Sequence, residues 1–176
     1  MRVVAGTLKG RRLVAPPPGD LRVRPTSDRA REALFSILLR WPQGPFLDLC
    51  AGTGAVGLEA HSRGYAPVVC LEASEPGWSC LQKNVAGLPV QALRGDLRRF
   101  GPKAFAGQAV IFLDPPYDRA ADLWTRLAAA LRACIAPDGV LVFETARETA
   151  LELQTGWKLA EIREYGSARF HLWIPA

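Results

Sequence analysis

The run VIFLDPPYDRA, residues 110 to 120, drives four apolar residues into an acid, two prolines and a tyrosine. The apolar part has the character of a buried strand. Proline cannot extend such a strand, because it has no N–H for the ladder and fixes φ. Pro115 and Pro116 therefore hold Asp114 and Tyr117 at the edge of a sheet. A carboxylate and a backbone carbonyl fixed in this way suit the exocyclic amine of a nucleobase. That amine is a poor nucleophile, since its lone pair is delocalised into the ring. Acceptors aimed at its N–H groups, from the Asp114 side chain and the Pro115 carbonyl, favour the tetrahedral nitrogen that attacks a methyl group. Rigid placement lowers the barrier electrostatically. Tyr117 would stack on the base, worth about 1–3 kcal/mol by analogy with other base–aromatic contacts.

Three further features fall at the ends of strand-like runs. In FLDLCAGTGAVGLEA, residues 46–60, an apolar stretch ends at Asp48–Cys50, and Gly52, Gly54 and Gly57 lead into a helical pattern. Glycines let the chain turn tightly and approach a ligand, and the helix start offers free N–H groups. The spacing suits a nucleotide-like cofactor, and a tight strand–helix turn alone would also explain it. Glu72 closes VVCLE eighteen residues after Gly54. An acid there accepts hydrogen bonds from ribose hydroxyls, of NAD or of S-adenosyl-L-methionine alike. Asp96, in LRGDLRRF, follows the third strand; it suits an adenine amino group, and equally the cap of a short helix.

These residues need a frame that gathers strand ends. Strands are expected at 45–50, 67–72, 90–94, 109–113 and 139–144. Helices are expected at 54–63, 76–86, 97–101, 119–135 and 146–153. Such alternation predicts a doubly wound, mostly parallel Rossmann-like sheet, with ligands outside the carboxyl ends of its strands. Two last strands, 157–164 and 168–174, lack an intervening helix and should form an antiparallel hairpin around Gly166. Upstream, short strands at 2–5 and 11–15 flank a turn, and PPPGD is a loop. Ser27 or Asp28 caps a helix whose apolar face is Ala30, Ala33, Leu34, Ile37 and Leu38, ended by Pro42 and Gly44. The chain divides into a basic extension, 1–44, and an α/β domain, 45–176.

With 176 residues, 49% of them hydrophobic, the chain is long and apolar enough for a real core. No apolar run is long enough for a membrane helix, and MRVVAGTLKGRR lacks a signal peptide's apolar core, so a cytoplasmic location is expected. Cys50, Cys70, Cys80 and Cys134 form no C-x-x-C pair, and no metal is expected; Cys50 and Cys70 lie in apolar runs and read as core residues in a reducing compartment. The net charge of +5 is uneven. Residues 1–40 carry nine basic and three acidic side chains; the remainder carries thirteen and fourteen. Such an arm suits a polyanion partner or a solvated face. An NAD-dependent oxidoreductase would share the glycine loop, but explains neither the Asp-Pro-Pro-Tyr tetrapeptide nor the arm. A DNA amine methyltransferase would share the tetrapeptide, but the chain shows no insertion for reading a DNA sequence.

DPPY after the fourth strand, with DLCAGTGAVGLEA at the first, resembles the amino-directed S-adenosylmethionine methyltransferases. The opening RVVAGTLKGRRLVAPPPGDLRVRPTSDRAREALFSIL resembles, more specifically, the small-subunit ribosomal RNA guanine-N2 methyltransferases of the RsmD type, a likeness that extends over essentially the whole chain. The resemblance implies a class I methyltransferase fold that binds S-adenosyl-L-methionine and releases S-adenosyl-L-homocysteine. It implies methylation of N2 of guanine-966 in 16S rRNA, on an assembling or assembled 30S subunit. The alternative is an exocyclic-amine methyltransferase of DNA or another RNA, acting at N6 of adenine or N4 of cytosine. The resemblance places Asp48, Gly52 and Gly54 in the cofactor loop, Glu72 on the ribose and Asp96 on the adenine side. Asp114, Pro115, Pro116 and Tyr117 match the catalytic tetrapeptide. Relatives with phenylalanine at the Tyr117 position imply a stacking ring and no catalytic hydroxyl. Arg24, Pro25 and Thr26 match the segment over the cofactor's methionine end. Arg2, Lys9, Arg11, Arg12, Arg22 and Arg24 would hold RNA phosphates. Arg29 and Arg31 belong to the same motif, as RNA contacts or as helix braces. Nothing in the sequence demands a dimer, so a monomer is expected.

Overall fold

Apolar runs of four to six residues bounded by glycine, proline or an acid become fully buried strands. β1 (Phe46–Leu49), β2 (Val68–Glu72) and β4 (Gln108–Leu113) are buried at every position. Two amphipathic segments with side-chain caps, and one segment buried nearly all round, become the first three helices. α1 (Asp28–Leu38) starts at Ser27, whose side chain accepts from Ala30 N. α2 (Ala55–Ser62) starts at Gly54, and α3 (Glu75–Val85) at Ser74, whose side chain accepts from Gly77 N. The remaining elements are β3 (Val90–Arg94), α4 (Ala120–Cys134), β5 (Ile135–Ala146), β6 (Trp157–Tyr165) and β7 (Ala168–Pro175), with short 3-10 turns at Leu97–Arg99 and Tyr117–Arg119. The computed structural model describes residues 1–17, 27–99, 101 and 105–176, with Tyr117 described in its backbone alone.

The strands form one sheet in the order β3-β2-β1-β4-β5-β7-β6. The first five run parallel, and β7 is antiparallel to both β5 and β6. This is the doubly wound Rossmann-like sheet the alternation predicts, with its hairpin turning at Gly166. Strand order reverses between β1 and β4, so the connections leaving their carboxyl ends part in opposite directions and leave a crevice there.

Period-2 alternation builds a core on each face. Phe46, Val68, Cys70, Val110, Phe112, Val142 and Leu172 pack with Leu34 and Leu38 of α1 and Leu58 of α2. Leu47, Leu49, Ile111, Leu113, Leu141 and Phe143 pack on the other face against Leu123, Trp124 and Leu131 of α4. Val3 and Leu13 join the first core, so the arm is built into the body.

Three expectations are corrected. The arm has no paired strands at 2–5 and 11–15, only an isolated bridge between Arg2 and Arg12. Val3 N on the Arg11 carbonyl at 3.0 Å and Leu13 N on the Met1 carbonyl at 3.2 Å close that bridge, and the amides that would extend it go elsewhere. Val4 N and Ala5 N donate to the Glu59 carboxylate at 2.7 and 3.0 Å, and Val14 N donates to Asn84 Oδ1 at 2.8 Å. The helix expected at 146–153 is absent. β5 extends to Ala146 to pair with Ala168, and the chain then turns, with Thr149 N on the Ala146 carbonyl. The Trp124 indole N–H donates to the Glu152 carbonyl at 2.7 Å and tethers this stretch to α4. Finally, α1 ends at Leu38, before Pro42 and Gly44.

Candidate active site

A cleft of about 960 Å³ opens over the carboxyl ends of the strands. Its walls include Gly52, Glu72, Asp96, Asp114, Pro115 and Pro116, six of the residues singled out in the sequence. The fold brings them together because each sits one to three residues past the end of a parallel strand, or, for Glu72, on its last residue.

The loop after β1 is wound by left-handed residues. Gly52 and Gly54 have φ of 56° and 79°, and Cys50, which is not glycine, has φ of 64°. A side chain at Gly54 would meet both that backbone restriction and the Leu81 side chain, 2.5 Å from its Cβ position. The winding aims Gly52 N at Glu72 Oε2, 2.6 Å away, while Ser74 N donates to Glu72 Oε1 at 2.7 Å. Two backbone donors thus fix the Glu72 carboxylate, which borders the cleft and whose oxygens each retain capacity to accept another hydrogen bond. Burial and the acids around it push the Cys50 thiol well above its usual range, so it stays a neutral wall.

Asp48 lies elsewhere. It is 1% exposed, beneath the loop, and its Oδ2 accepts from Gly57 N at 2.9 Å. Burial pushes its carboxyl up to about 8, with Gly57 N–H acting against that and Glu72 adding to it. At neutral pH it is an uncharged acid that ties the start of α2 to β1. Gly54 likewise faces the core side, toward Leu81.

Asp96 has a capping part: its Oδ1 accepts from Arg98 N at 2.9 Å, starting the 3-10 turn. The Arg98 guanidinium pairs with the same carboxylate at 2.5 Å. The Arg98 side chain and then its backbone N–H hold Asp96 down at about 2.

β4 ends against β1, with Asp114 N on the Leu49 carbonyl at 3.4 Å. From there Asp114 and Pro115 enter the cleft wall, and Arg119 N on the Pro116 carbonyl at 3.0 Å closes the turn that carries Tyr117. Ser27 and Ala30 of α1 border the cleft, as does the β6–β7 turn at Tyr165–Ala168. Glu144 of β5, to which the sequence pattern assigned no role, is in the same wall. Its signal was an apolar run ending in an acid, GVLVFE, the pattern that picked out Glu72 in VVCLE.

The basic residues divide. Thr26, Arg22 and Arg24, with Pro25, lie outside the described residues. Arg2, Lys9 and Arg12 are exposed on the arm and do not border the cleft. Arg11 is half-buried and its guanidinium donates to the Asn84 carbonyl at 3.2 Å. Arg31 is fully buried and braces the helix, donating to the Arg2 carbonyl at 2.6 Å and pairing with Asp28; Arg29 is exposed. The cleft mouth carries arginines that segment charge does not reveal, Arg98, Arg119 and Arg126. They were hidden in a segment whose net charge is near zero, because Asp96 and Asp122 pair with two of them. Among the described residues no group of three or more His, Cys, Asp or Glu could hold a metal ion, and no helix is long and apolar enough to cross a membrane.

Comparison with known proteins places this cleft in a family. The family model described as Conserved hypothetical protein 95 matches residues 1–174. The Bacillus subtilis protein YlbH is 32% identical over 89% of this chain and 88% of its own. Ribosomal RNA small subunit methyltransferase D of Haemophilus influenzae is 28% identical over 98% of this chain and 93% of its own. The solved structure of a hypothetical protein of Thermus thermophilus superposes with a TM-score of 0.84 at 32% identity, covering 100% of this chain and 99% of that one. The chain belongs to the family described as Conserved hypothetical protein 95, the RsmD-type ribosomal RNA methyltransferases that use S-adenosyl-L-methionine.

Proposed function

We propose that this protein methylates N2 of guanine-966 of 16S rRNA, acting as a cytoplasmic monomer on the assembling or assembled 30S subunit. The observation that carries the reading is the shared cleft. The Glu72 carboxylate, locked by Gly52 and Ser74, faces the same space as Asp114 and Pro115. A hydroxyl-binding acid and an amine-binding pair within one cleft of about 960 Å³ suit a nucleoside cofactor beside a base.

When bound, S-adenosyl-L-methionine supplies an activated methyl on its sulfonium and leaves as S-adenosyl-L-homocysteine. The protein's own part is placement. Glu72 accepts the ribose hydroxyls through the acceptor directions its backbone donors leave open. Asp96 accepts the adenine amine on its cleft side while capping the 3-10 turn. The Asp114 carboxylate and the Pro115 carbonyl accept the two N2 hydrogens, which turns the nitrogen lone pair out of the ring toward the methyl. The proton shed by the methylated nitrogen goes to Asp114 Oδ. Tyr117 stacks on the base, and Thr26 and Gly52 complete the cofactor contacts. Asp48 and Gly54 serve the cofactor from below, by holding the loop. The target base leaves its stack to reach Asp114. Arg2, Lys9, Arg11, Arg12, Arg22 and Arg24 of the arm, with Arg98, Arg119 and Arg126 at the mouth, hold the phosphates around it.

The test offers one labelled methyl donor to three acceptors: small ribosomal subunits, protein-free 16S rRNA and duplex DNA. Transfer to the subunits is expected. Transfer to DNA alone would overturn the reading in favour of the DNA amine alternative.

A further inference from the structure

Guanine presents two adjacent donors on the edge that is methylated, the N2 amine and N1–H. Adenine and cytosine present an amine beside a bare ring nitrogen, which is an acceptor. Asp114 and Pro115 account for the amine and leave the neighbouring position unread. The neighbouring position on the sheet belongs to Glu144. β4 and β5 run parallel with Leu113 opposite Phe143, so Asp114 and Glu144 are the next step along each strand. Their backbones start about 4.8 Å apart, the spacing of adjacent strands. Leu113 and Phe143 both pack on the α4 face, so by alternation the next residues turn to the α1 face. Asp114 and Glu144 accordingly border one cleft together with Ser27 and Ala30 of α1. Glu144 is 5% exposed, which puts its carboxylate in the wall and away from the mouth.

We propose that Glu144 is the residue that selects guanine. Resting on the guanine-N2 reading above, its carboxylate accepts N1–H of the target while Asp114 and Pro115 take the N2 amine. The same oxygen meets a lone pair, and repels it, when adenine N1 or cytosine N3 takes that place. Burial strengthens both the attraction and the repulsion. A site built around a buried acceptor rejects a base lacking the donor far more strongly than an apolar pocket rejects a misfit.

The test uses full-length protein, labelled S-adenosyl-L-methionine and small subunits reconstituted with 16S rRNA bearing either guanosine or 2-aminopurine riboside at the target position. The analogue keeps the 2-amine and replaces N1–H by a bare nitrogen. Single-turnover rates are read for wild type and for Glu144→Gln, whose amide can donate to that nitrogen. The wild-type protein should prefer guanosine by about 100-fold or more. Glu144→Gln should slow guanosine methylation about 10–100-fold and shrink the preference at least about tenfold, with cofactor affinity kept. An unchanged preference in Glu144→Gln, with the wild type methylating guanine, overturns this assignment alone. A wild type that leaves guanine bare and labels adenine or cytosine overturns the guanine reading and this assignment with it. If Glu144→Gln does not fold, Glu144→Asp takes its place: it keeps the charge and withdraws it by one methylene, so the guanosine rate should fall while the preference persists. A guanosine rate equal to wild type would overturn the proposal.

Discussion

Asp114 and Asp48 carry the same side chain on neighbouring strands, but Asp48 stands opposite Phe112, two register steps short of Asp114, and the two surroundings differ accordingly. Asp114 borders the cleft, as the amine acceptor proposed for it must. Asp114→Ala should cut the rate of methyl transfer by about 10²–10³-fold while the cofactor dissociation constant stays within about threefold. Single-turnover transfer and equilibrium binding read the two separately. Asp48 is sealed under the glycine loop, and its burial has a consequence for stability. Its folded value of about 8 lies above the ordinary 3.8, so the folded protein keeps a proton that the unfolded chain releases. The stability this contributes is complete below 3.8 and is lost as pH rises through about 8. Asp48→Asn keeps the acceptor for Gly57 N and removes the titration. Its stability relative to wild type should rise from about pH 4 upward, by at most about 1.4 kcal/mol per pH unit, and level off above about pH 8. Urea unfolding of both proteins across that range measures the gap. His171 acts in the opposite sense: burial holds its ring down at about 4, so its contribution is full above 6.5 and lost as pH falls through 4. The sequence marked Asp48 and Asp114 alike as strand-end acids. What separates them is the backbone N–H of Gly57, a contact across the strand–helix turn that spacing does not reveal.

The element that most changes the picture is the arm. Composition described it as a separate basic extension, and its residues lie bolted across α2 and α3. Glu59 takes two arm amides and Arg63 as well. Ser62 Oγ accepts from Leu8 N at 2.9 Å and donates to the Ala5 carbonyl. Gly6 passes so close that a Cβ there would lie 1.8 Å from the Ser62 carbonyl oxygen. Asn84, the chain's one asparagine, joins three elements: it bonds Val14 N and the Val14 carbonyl on the arm, and donates to the Thr53 carbonyl of the glycine loop. Asn84→Ala strands the buried Thr53 carbonyl and frees the more exposed Val14 groups, and should lower unfolding stability by about 1–3 kcal/mol, measured by chemical denaturation. A loss below about 0.5 kcal/mol would mean the clamp does not hold the arm. Strands and helices of the body were legible because their periodicity is local. The clamp was not, because Glu59, Ser62 and Asn84 reach residues 54 to 70 positions away. The absent helix at 146–153 failed for a related reason. Its residues have helical composition, but β7, distant in sequence, draws β5 out to Ala146.

At the scale of the molecule, positive charge is distributed over two places: the exposed arm residues Arg2, Lys9 and Arg12, and the arginines at the cleft mouth. Net charge by segment revealed the first and concealed the second, since counting sums the mouth arginines with the acids that pair with them. Replacing Lys9 and Arg12 with Ala should weaken RNA binding and flatten the dependence of log K on log salt by about 0.7–0.9 for each phosphate no longer held. Arg11 is a poorer probe, because its guanidinium also holds α3 through the Asn84 carbonyl. An unchanged slope would assign phosphate binding to the cleft mouth. The gathering of Glu72, Asp96, Asp114 and Pro115 at one end of the sheet was legible, because a doubly wound topology brings every parallel strand's carboxyl end to the same side. The central claim is that this gathering serves transfer to one guanine amine. The direct measurement is transfer of labelled methyl to small subunits from a strain lacking this gene, mapped by nuclease digestion and mass spectrometry. A single N2-methylguanosine, at position 966, is expected. Label on adenine, on cytosine or spread over many guanines would contradict it.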